Sequence, residues 1–440
     1  MRISRHFVSV EGRRVHYRRA GYGPAVLLVH QSPRSSAEFL PLIARWAEHF
    51  TVIAPDTPGF GQSEPLPGEP EIGDFGAALL ALLDTLRIER TGAYGFHSGG
   101  IILANAFAQA PQRFSALGIG GYAIWTEAER AAFGHAYLPP FRPSAYGEHL
   151  TWLWNRILEQ SWFFPWFDTR PETRLSVAHD DPAKVDAVVC HMLDAGDAYR
   201  AGYGAVLRAP RDIPPAVAVT PPVLITAYDG DPLQPHIDRL GAMPAGWSAR
   251  KVGTPAEQQA ATLAFLQAHP APDAPAPIEA ADQGFVWVEG MQLHWRGRGS
   301  MLHVHAPGRS TETLNGKSGL GIDLPGHGLS DEWNGADWNT LIETARRELG
   351  AQEVVRDSAP AGEPDKLFPD LSPDRFGTYL TRAWQIVRAR HLFAPWYEAR
   401  AANALPFDPS ALAPERLAVE HRELLRASAA RDYMISMGEA

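Results

Sequence analysis

The stretch Tyr94-Gly95-Phe96-His97-Ser98-Gly99-Gly100 constrains this chain more than any other. A small, apolar strand, Thr91 to Tyr94, runs into a glycine-bracketed turn, and an apolar helix, Ile101 to Gln109, runs out of it. A strand and a helix can meet through so short a turn only where the flanking residues lack a Cβ that would strike the neighbouring strand and helix. Such a turn lifts one side chain above the sheet. In this register it is His97, and Ser98 comes one place later, at the start of the helix.

The rest of the first half supplies the sheet that this turn needs. Phe7 to Arg18 alternates about Glu11-Gly12 as a β-hairpin does. Ala25 to His30 (AVLLVH) is an unbroken apolar run, as a strand buried on both faces requires. Helix Ala37 to Glu48, strand Thr51 to Ala54, amphipathic helix Asp74 to Leu86 and strand Phe114 to Gly120 follow the same alternation. Strands alternating with helices at this spacing predict a mostly parallel sheet covered on both faces, with its binding site at the carboxyl ends of the strands. His30, Asp56 and His97 all fall at such ends.

Charge and composition exclude some partners. With 50 acidic and 40 basic residues the net charge is −10, which argues against nucleic acid or an anionic membrane surface as a main partner. The single cysteine, Cys190, allows no internal disulfide and fits a reducing compartment. It sits in the apolar run Val185 to Met192, as a structural thiol does. The first seven residues lack the apolar core of a signal peptide, and no apolar run reaches membrane-spanning length. A cytoplasmic location is the expectation. Neither metal-ligand spacing nor a phosphate-cradling glycine loop occurs, so the site is expected to work without metal or cofactor on a small-molecule substrate.

Three motifs carry a family resemblance. His30-Gln31-Ser32-Pro33 resembles the His-Gly-x-Pro oxyanion turn of α/β-hydrolases. Asp56-Thr-Pro-Gly-Phe-Gly-Gln-Ser63 resembles their Asp-x-Pro-Gly-x-Gly-x-Ser loop, and Gly95 to Gly99 resembles their nucleophile elbow. The resemblance covers residues 7 to about 268. It extends to a branch of the superfamily whose elbow reads Gly-x-His-(Ser/Thr)-Gly beside a His-Gln-x-Pro-Arg-Ser turn. It implies an α/β-hydrolase domain over residues 1–268, with a helical lid at about 127–209 roofing the site. Within that insertion, seven of the sixteen residues from Trp152 to Phe167 are aromatic. Most are expected in the core, with two or three, Trp162 and Trp166 among them, facing an apolar or aromatic substrate.

The resemblance also shows what is missing. Asp231, followed by Pro232 and Pro235, is similar to the family's catalytic acid. The family's catalytic histidine belongs in the loop after the last strand, Ser248 to Gly253. Here that loop is cut to Thr254-Pro255, and no histidine occurs between Ile237 and Ala268. Only the acid of the usual triad remains.

After a Pro/Ala-rich linker, residues 269–283, the chain begins again. Phe285 to Arg296 matches Phe7 to Arg18 at 7 of 12 positions. Met301 to Ser310 echoes Val26 to Ser35, with His305 and Arg309 in place, and Asp323 to Ser330 repeats the Asp56 loop. Tyr379 to Arg400 matches His149 to Arg170 at 7 of 22 positions, and His421 matches His191 at the same shift. Two tryptophans and a Pro-Trp aligned at one shift point to a gene duplication. The copy, 284–440, ends without its last three strands, and its elbow region, Arg356 to Pro360, has no glycine bracket. A half-sheet of this kind exposes an edge and an apolar face. It is expected to pack on the first lobe or on a second subunit, making a homodimer through this lobe one outcome.

An imidazole reaches further than a hydroxymethyl group. At the elbow, His97 could fill the space of the missing loop histidine and meet Asp231, which would fix its tautomer. It could then take a proton from water or substrate. The Ser98 N–H and the backbone at Gln31 and Ser32 would serve as oxyanion donors. His30 lies beside them, and Arg34 either holds a substrate carboxylate or makes a surface ion pair. Three readings stay open. One is an enzyme cleaving an ester, a lactone or a C–C or C–O bond with His97 as base. The second is a serine hydrolase using Ser98, with a base from His30, His236 or the second lobe. The third is a catalytically inactive binding or scaffolding protein.

Overall fold

The computed structural model describes residues 2–133, 136–314 and 319–438. They form two compact units. The first comprises Met1–Phe141 and Arg156–Glu279, the second Arg142–Asn155 and Ala280–Ala440.

In the first unit, β1 (Ser4–Val10) and β2 (Arg13–Ala20) form the hairpin. There follow β3 (Ala25–Val29), α1 (Leu40–Trp46), β4 (Thr51–Pro55), α2 (Ile72–Thr85), β5 (Thr91–Phe96), α3 (Ser98–Gln109) and β6 (Phe114–Gly120). A helical insertion comes next: α4 (Glu127–Phe133), α5 (Glu148–Gln160), α6 (Pro182–Ala195) and α7 (Tyr199–Arg208). β7 (Val223–Tyr228), β8 (Trp247–Val252) and α8 (Pro255–Ala268) complete it. The eight strands lie in the order β1-β2-β4-β3-β5-β6-β7-β8, parallel from β4 to β8.

The apolar run of β3 is split between the two faces by the two-residue period of a strand. Ala25, Leu27 and Val29 pack with α2 and α3, while Val26 and Leu28 pack with α1 and Leu266 of α8. Each fully buried side chain of this size contributes about 1.5–3 kcal/mol. One local expectation is corrected. The helix expected from Ala37 opens as a 3-10 turn, Ser36–Phe39, capped by the Ser35 hydroxyl, before α1 begins at Leu40. At the far end, Thr254 caps α8 by accepting the Glu257 N–H, with Pro255 in the first turn, so β8 passes into the helix with no loop between.

The second unit is built from β9 (Gln283–Val288), β10 (Met291–Gly297), β11 (Met301–Val304), β12 (Leu320–Ile322), α9 (Trp338–Glu348), β13 (Glu353–Arg356), α10 (Pro364–Leu367), α11 (Thr378–Arg390), α12 (Pro414–Leu425) and α13 (Ala430–Gly438). Its strands lie in the order β13-β11-β12-β10-β9, with β9, β10 and β12 antiparallel neighbours and β11 parallel to β12 and β13. α9 and Tyr433 of α13 pack on the core of this sheet.

Residues 142–155, the first half of the α5 region, belong to this second unit, where they pair with α11 reciprocally. The ring of Trp154 lies 5.8 Å from that of Tyr379, and Trp384 lies 4.8 Å from His149. A Cβ on Gly147 would come within 3.0 Å of Trp384, and one on Gly377 within 2.3 Å of Trp154. Each helix thus receives the other's tryptophan at the glycine before its first turn. Among the described residues, no helix of either unit is long and apolar enough to cross a membrane.

Candidate active site

The elbow forms as the glycine pattern requires. A Cβ on Gly99 would lie 2.0 Å from the Val29 carbonyl oxygen, so the helix can start this close to β3 only on a glycine. Between β5 and α3, His97 takes φ 47°, ψ −113°, a conformation L-residues rarely adopt and that clusters at functional turns. Its N–H is satisfied by the Gly120 carbonyl of β6, 2.7 Å away.

From this perch the imidazole meets the acid at the end of β7. Nε2 of His97 lies 3.1 Å from Oδ1 and 3.2 Å from Oδ2 of Asp231. The Asp231 side chain is fully buried, and that of His97 is 22% exposed. Burial alone would raise the acid's pKa. The charge and hydrogen bond of His97 and the Leu233 N–H at 2.8 Å outweigh it, and Asp231 is held below the usual carboxylate range. A carboxylate facing Nε2 fixes the proton there, which leaves the lone pair on Nδ1. Among the described residues Nδ1 has no hydrogen-bond partner.

A residue that the sequence analysis passed over makes room for this pair. Gly121, just past β6 and at φ 70°, carries no Cβ. One placed there would sit 2.5 Å from Cδ2 and 2.8 Å from Nε2 of His97. Its signal was a glycine immediately after an apolar strand, a position whose meaning depends on the histidine beside it.

The turn after β3 departs from expectation. The Gln31 N–H donates to Oε1 of Glu38 at 2.8 Å, and the Gln31 amide donates to Oε2 at 3.1 Å. The Ser32 N–H donates to the Ser98 hydroxyl oxygen at 2.5 Å. Both backbone donors expected from this turn are therefore spent inside the protein. Gln31 and Ser32 contribute to the cavity wall instead. The Ser98 N–H, in the first turn of α3, has no acceptor among the described residues. His30 is a buried brace: its Nδ1–H donates to the Gln31 carbonyl at 2.9 Å, and its Nε2 accepts the Thr57 N–H at 2.9 Å.

No histidine nitrogen bonds the Ser98 hydroxyl among the described residues. His30 is engaged as above. His236 accepts the Ile124 N–H at 2.8 Å through Nδ1, and burial first, then the Arg239 cation, hold its pKa down to about 4.

His97, Ser98, Gln31 and Ser32 open on one cavity of about 50 Å³, room for a few waters. The rest of its lining is Ile101, Ala123, Trp125, Phe133, Tyr137, Phe164, Tyr203, Val206, Leu207, Pro232 and Leu233. The Tyr137 and Tyr203 hydroxyls bond each other at 2.8 Å. Of the aromatic run 152–167 only Phe164 reaches this cavity. The indole of Trp166 donates to the Tyr137 carbonyl at 3.3 Å and that of Trp162 to the His179 carbonyl at 2.6 Å, so both brace the insertion. Most of the aromatic lining comes from the segment just after β6, which has fewer aromatics and drew less notice. Arg34 lines a different cavity. Among the described residues no cluster of histidine, cysteine and carboxylate side chains could hold a metal ion.

A sheet parallel from β4 to β8, a one-residue elbow after β5 and a buried acid after β7 define the first unit as an α/β-hydrolase fold. Residues 24–119 match the family described as alpha/beta hydrolase fold. Relatives match part of the chain. A soluble epoxide hydrolase of Corynebacterium sp. (strain C12) is 36% identical over 101 residues, 23% of this chain and 35% of the relative. An uncharacterized protein of Mycobacterium tuberculosis is 37% identical over 106 residues, 24% of this chain and 31% of the relative. The chain thus spans about a third of the length of these relatives. Among solved structures, epoxide hydrolase A from Mycobacterium thermoresistibile is 19% identical, with a TM-score of 0.47 over 60% of this chain and 98% of that one.

Proposed function

We propose that the first unit is an enzyme that cleaves an ester, a lactone or a C–C or C–O bond in a small apolar or aromatic compound, with His97 as general base oriented by Asp231. The observation that carries this reading is the 3.1 Å contact between Nε2 of His97 and Asp231 at the mouth of an aromatic cavity. In the hydrolytic case, Nδ1 takes a proton from water as the water oxygen bonds to the substrate carbonyl. The imidazolium that forms faces a buried carboxylate, which stabilises it. The Ser98 N–H donates to the developing oxyanion, and the proton returns from Nδ1 to the leaving oxygen or carbon as the scissile bond breaks. The helical insertion acts as the lid. Relatives named as a soluble epoxide hydrolase and a haloalkane dehalogenase support a small organic substrate.

The spent N–H groups of Gln31 and Ser32 favour a second reading, a hydrolase-like binding protein without turnover. The slipped-serine reading fares worse, since the Ser98 oxygen is tied to the Ser32 N–H and meets no base among the described residues. A panel of esters, lactones and diketones, run with an active-site serine probe, separates the three. Turnover without serine labelling is expected. Labelling of Ser98 supports the slipped serine, and absence of turnover across the panel supports the binding protein.

We also infer that the second unit carries a truncated duplicate of the first. Its five strands follow the order of β1 to β5. Asp56 accepts from His16, Ser36 N–H and Gln62 N–H at 2.8–2.9 Å; Asp323 accepts from His294, Thr311 N–H and Leu329 N–H at 2.6–3.0 Å. His305 bonds the Ala306 carbonyl and the Leu324 N–H as His30 bonds its own neighbours. The exchange of tryptophans between residues 142–155 and α11 is the pattern two subunits make across a two-fold axis. On this reading the second copy takes the place of a partner subunit, and the chain is a monomer in solution.

A further inference from the structure

A second cavity of the first unit, about 330 Å³, is larger than the one at His97 and differs from it in charge. Its lining includes the cationic and polar residues Arg34, His179, Lys184 and Gln160. It also includes the aliphatic residues Ile157, Leu175, Val185 and Val188. None of its described lining residues is acidic. The half-buried Arg34 guanidinium has no hydrogen bond or ion pair among the described residues. Among the described residues Lys184 pairs only with Asp181, at 3.9 Å, whose side chain is 44% exposed. The indole of Trp162 and the Ser161 hydroxyl both donate to the His179 carbonyl, which pins that segment to the end of α5.

Bonded to one of these lining residues is a buried cation that has no counterion among the described residues. Arg156 is 1% exposed. Its Nη1 donates to Oε1 of the lining residue Gln160 at 2.8 Å, while Nε and Nη2 have no partner among the described residues. Its guanidinium lies over the rings of Trp166 and Tyr199, at 5.5 and 5.8 Å. Cation–π contact offsets only part of the cost of burying a charge. An anion close by would offset more, because attraction is poorly screened in a buried setting.

We propose that this cavity is a binding site for an amphipathic carboxylate, its head on Arg34 and Lys184 and its aliphatic tail against Ile157, Val185 and Val188. The site is distinct from the cavity that holds His97, and the proposal stands whether or not His97 is a base. A carboxylate with a tail satisfies both kinds of lining residue. Acetate or phosphate would leave the aliphatic residues wet, and an alcohol would leave the cations unpaired.

The test is calorimetric titration of the full chain with hexanoate, set beside acetate, inorganic phosphate and hexanol. Hexanoate is expected to bind at least roughly tenfold tighter than any of the three, in wild type and in His97→Asn alike. Arg34→Met is expected to lose roughly tenfold, the value of one charge-assisted bond. Lys184→Met, at an exposed position, repeats the test in the same direction if Arg34→Met fails to fold. Absence of hexanoate binding, equal affinity for acetate, phosphate or hexanol, unchanged affinity in the folded Arg34 or Lys184 variant, or loss of binding in folded His97→Asn would each overturn the proposal.

Discussion

Gly121 is the space into which His97 fits: a Cβ there would stand 2.5 Å from the imidazole Cδ2, with the Asp231 carboxylate 3.1 Å away. A histidine at this elbow thus needs a residue without a Cβ just past β6 as well as the glycines of the elbow itself.

The first prediction follows from that contact. Gly121→Ala must push the ring away from Asp231. Because φ is +70° here, it also costs about 1–2 kcal/mol of backbone strain. Turnover should fall roughly a hundredfold, the cost of misplacing a catalytic group by about an ångström. Steady-state kinetics beside a urea melt checks this: a variant equally destabilised and fully active would deny the ring its place in the reaction.

The reciprocal packing in the second unit makes a different forecast. Gly377→Ala drives a methyl into Trp154, and Gly147→Ala meets Trp384 less closely, at 3.0 Å. Both sit at positive φ and share a backbone strain of about 1–2 kcal/mol; the clash should add about 1–3 kcal/mol at Gly377 and less at Gly147. In a double-mutant cycle, Trp154→Ala should relieve much of the cost of Gly377→Ala. Additive costs would contradict the packing. Light scattering should meanwhile report a single chain.

Acid should weaken the protein well before its carboxylates titrate. Burial is the largest cause holding His149 and His236 to about 4 and His191, His327 and His421 to about 3. These groups bind protons more readily unfolded than folded. Their contribution is therefore present above about pH 6.5 and is lost as pH falls toward those values. Glu423 works the other way. Burial raises it to about 7, so its contribution is present below its ordinary value and fades as pH rises through 7. With five histidines against one carboxyl, the melting temperature should drop steadily from pH 7 to pH 5. A flat or rising profile would contradict the burial of these rings.

Features set by backbone sterics and local pattern were legible in the sequence. The apolar run of β3, the glycines bracketing His97, the Asp231 turn and the missing loop before α8 each follow from a few adjacent residues. What was not legible depends on partners outside the local sequence pattern, from seven residues away to more than two hundred. Nothing local to Gln31 tells that Glu38 takes its N–H, or to Ser32 that Ser98 takes the next. Gly121 acquires its meaning only from His97, and Trp162 and Trp166 brace the insertion because the carbonyls of His179 and Tyr137 come to meet their indoles. The assignment of 142–155 to the second unit needed Trp384, more than two hundred residues away.

The rate of His97→Asn tests the role of His97 most directly, since asparagine tolerates the positive φ of the elbow but cannot reach Asp231 or hold a proton for the reaction. On whichever ester, lactone or diketone the wild type turns over, kcat should fall about 10²- to 10⁴-fold while the melting temperature stays near that of wild type. A folded His97→Asn protein that turns over at the wild-type rate would contradict it.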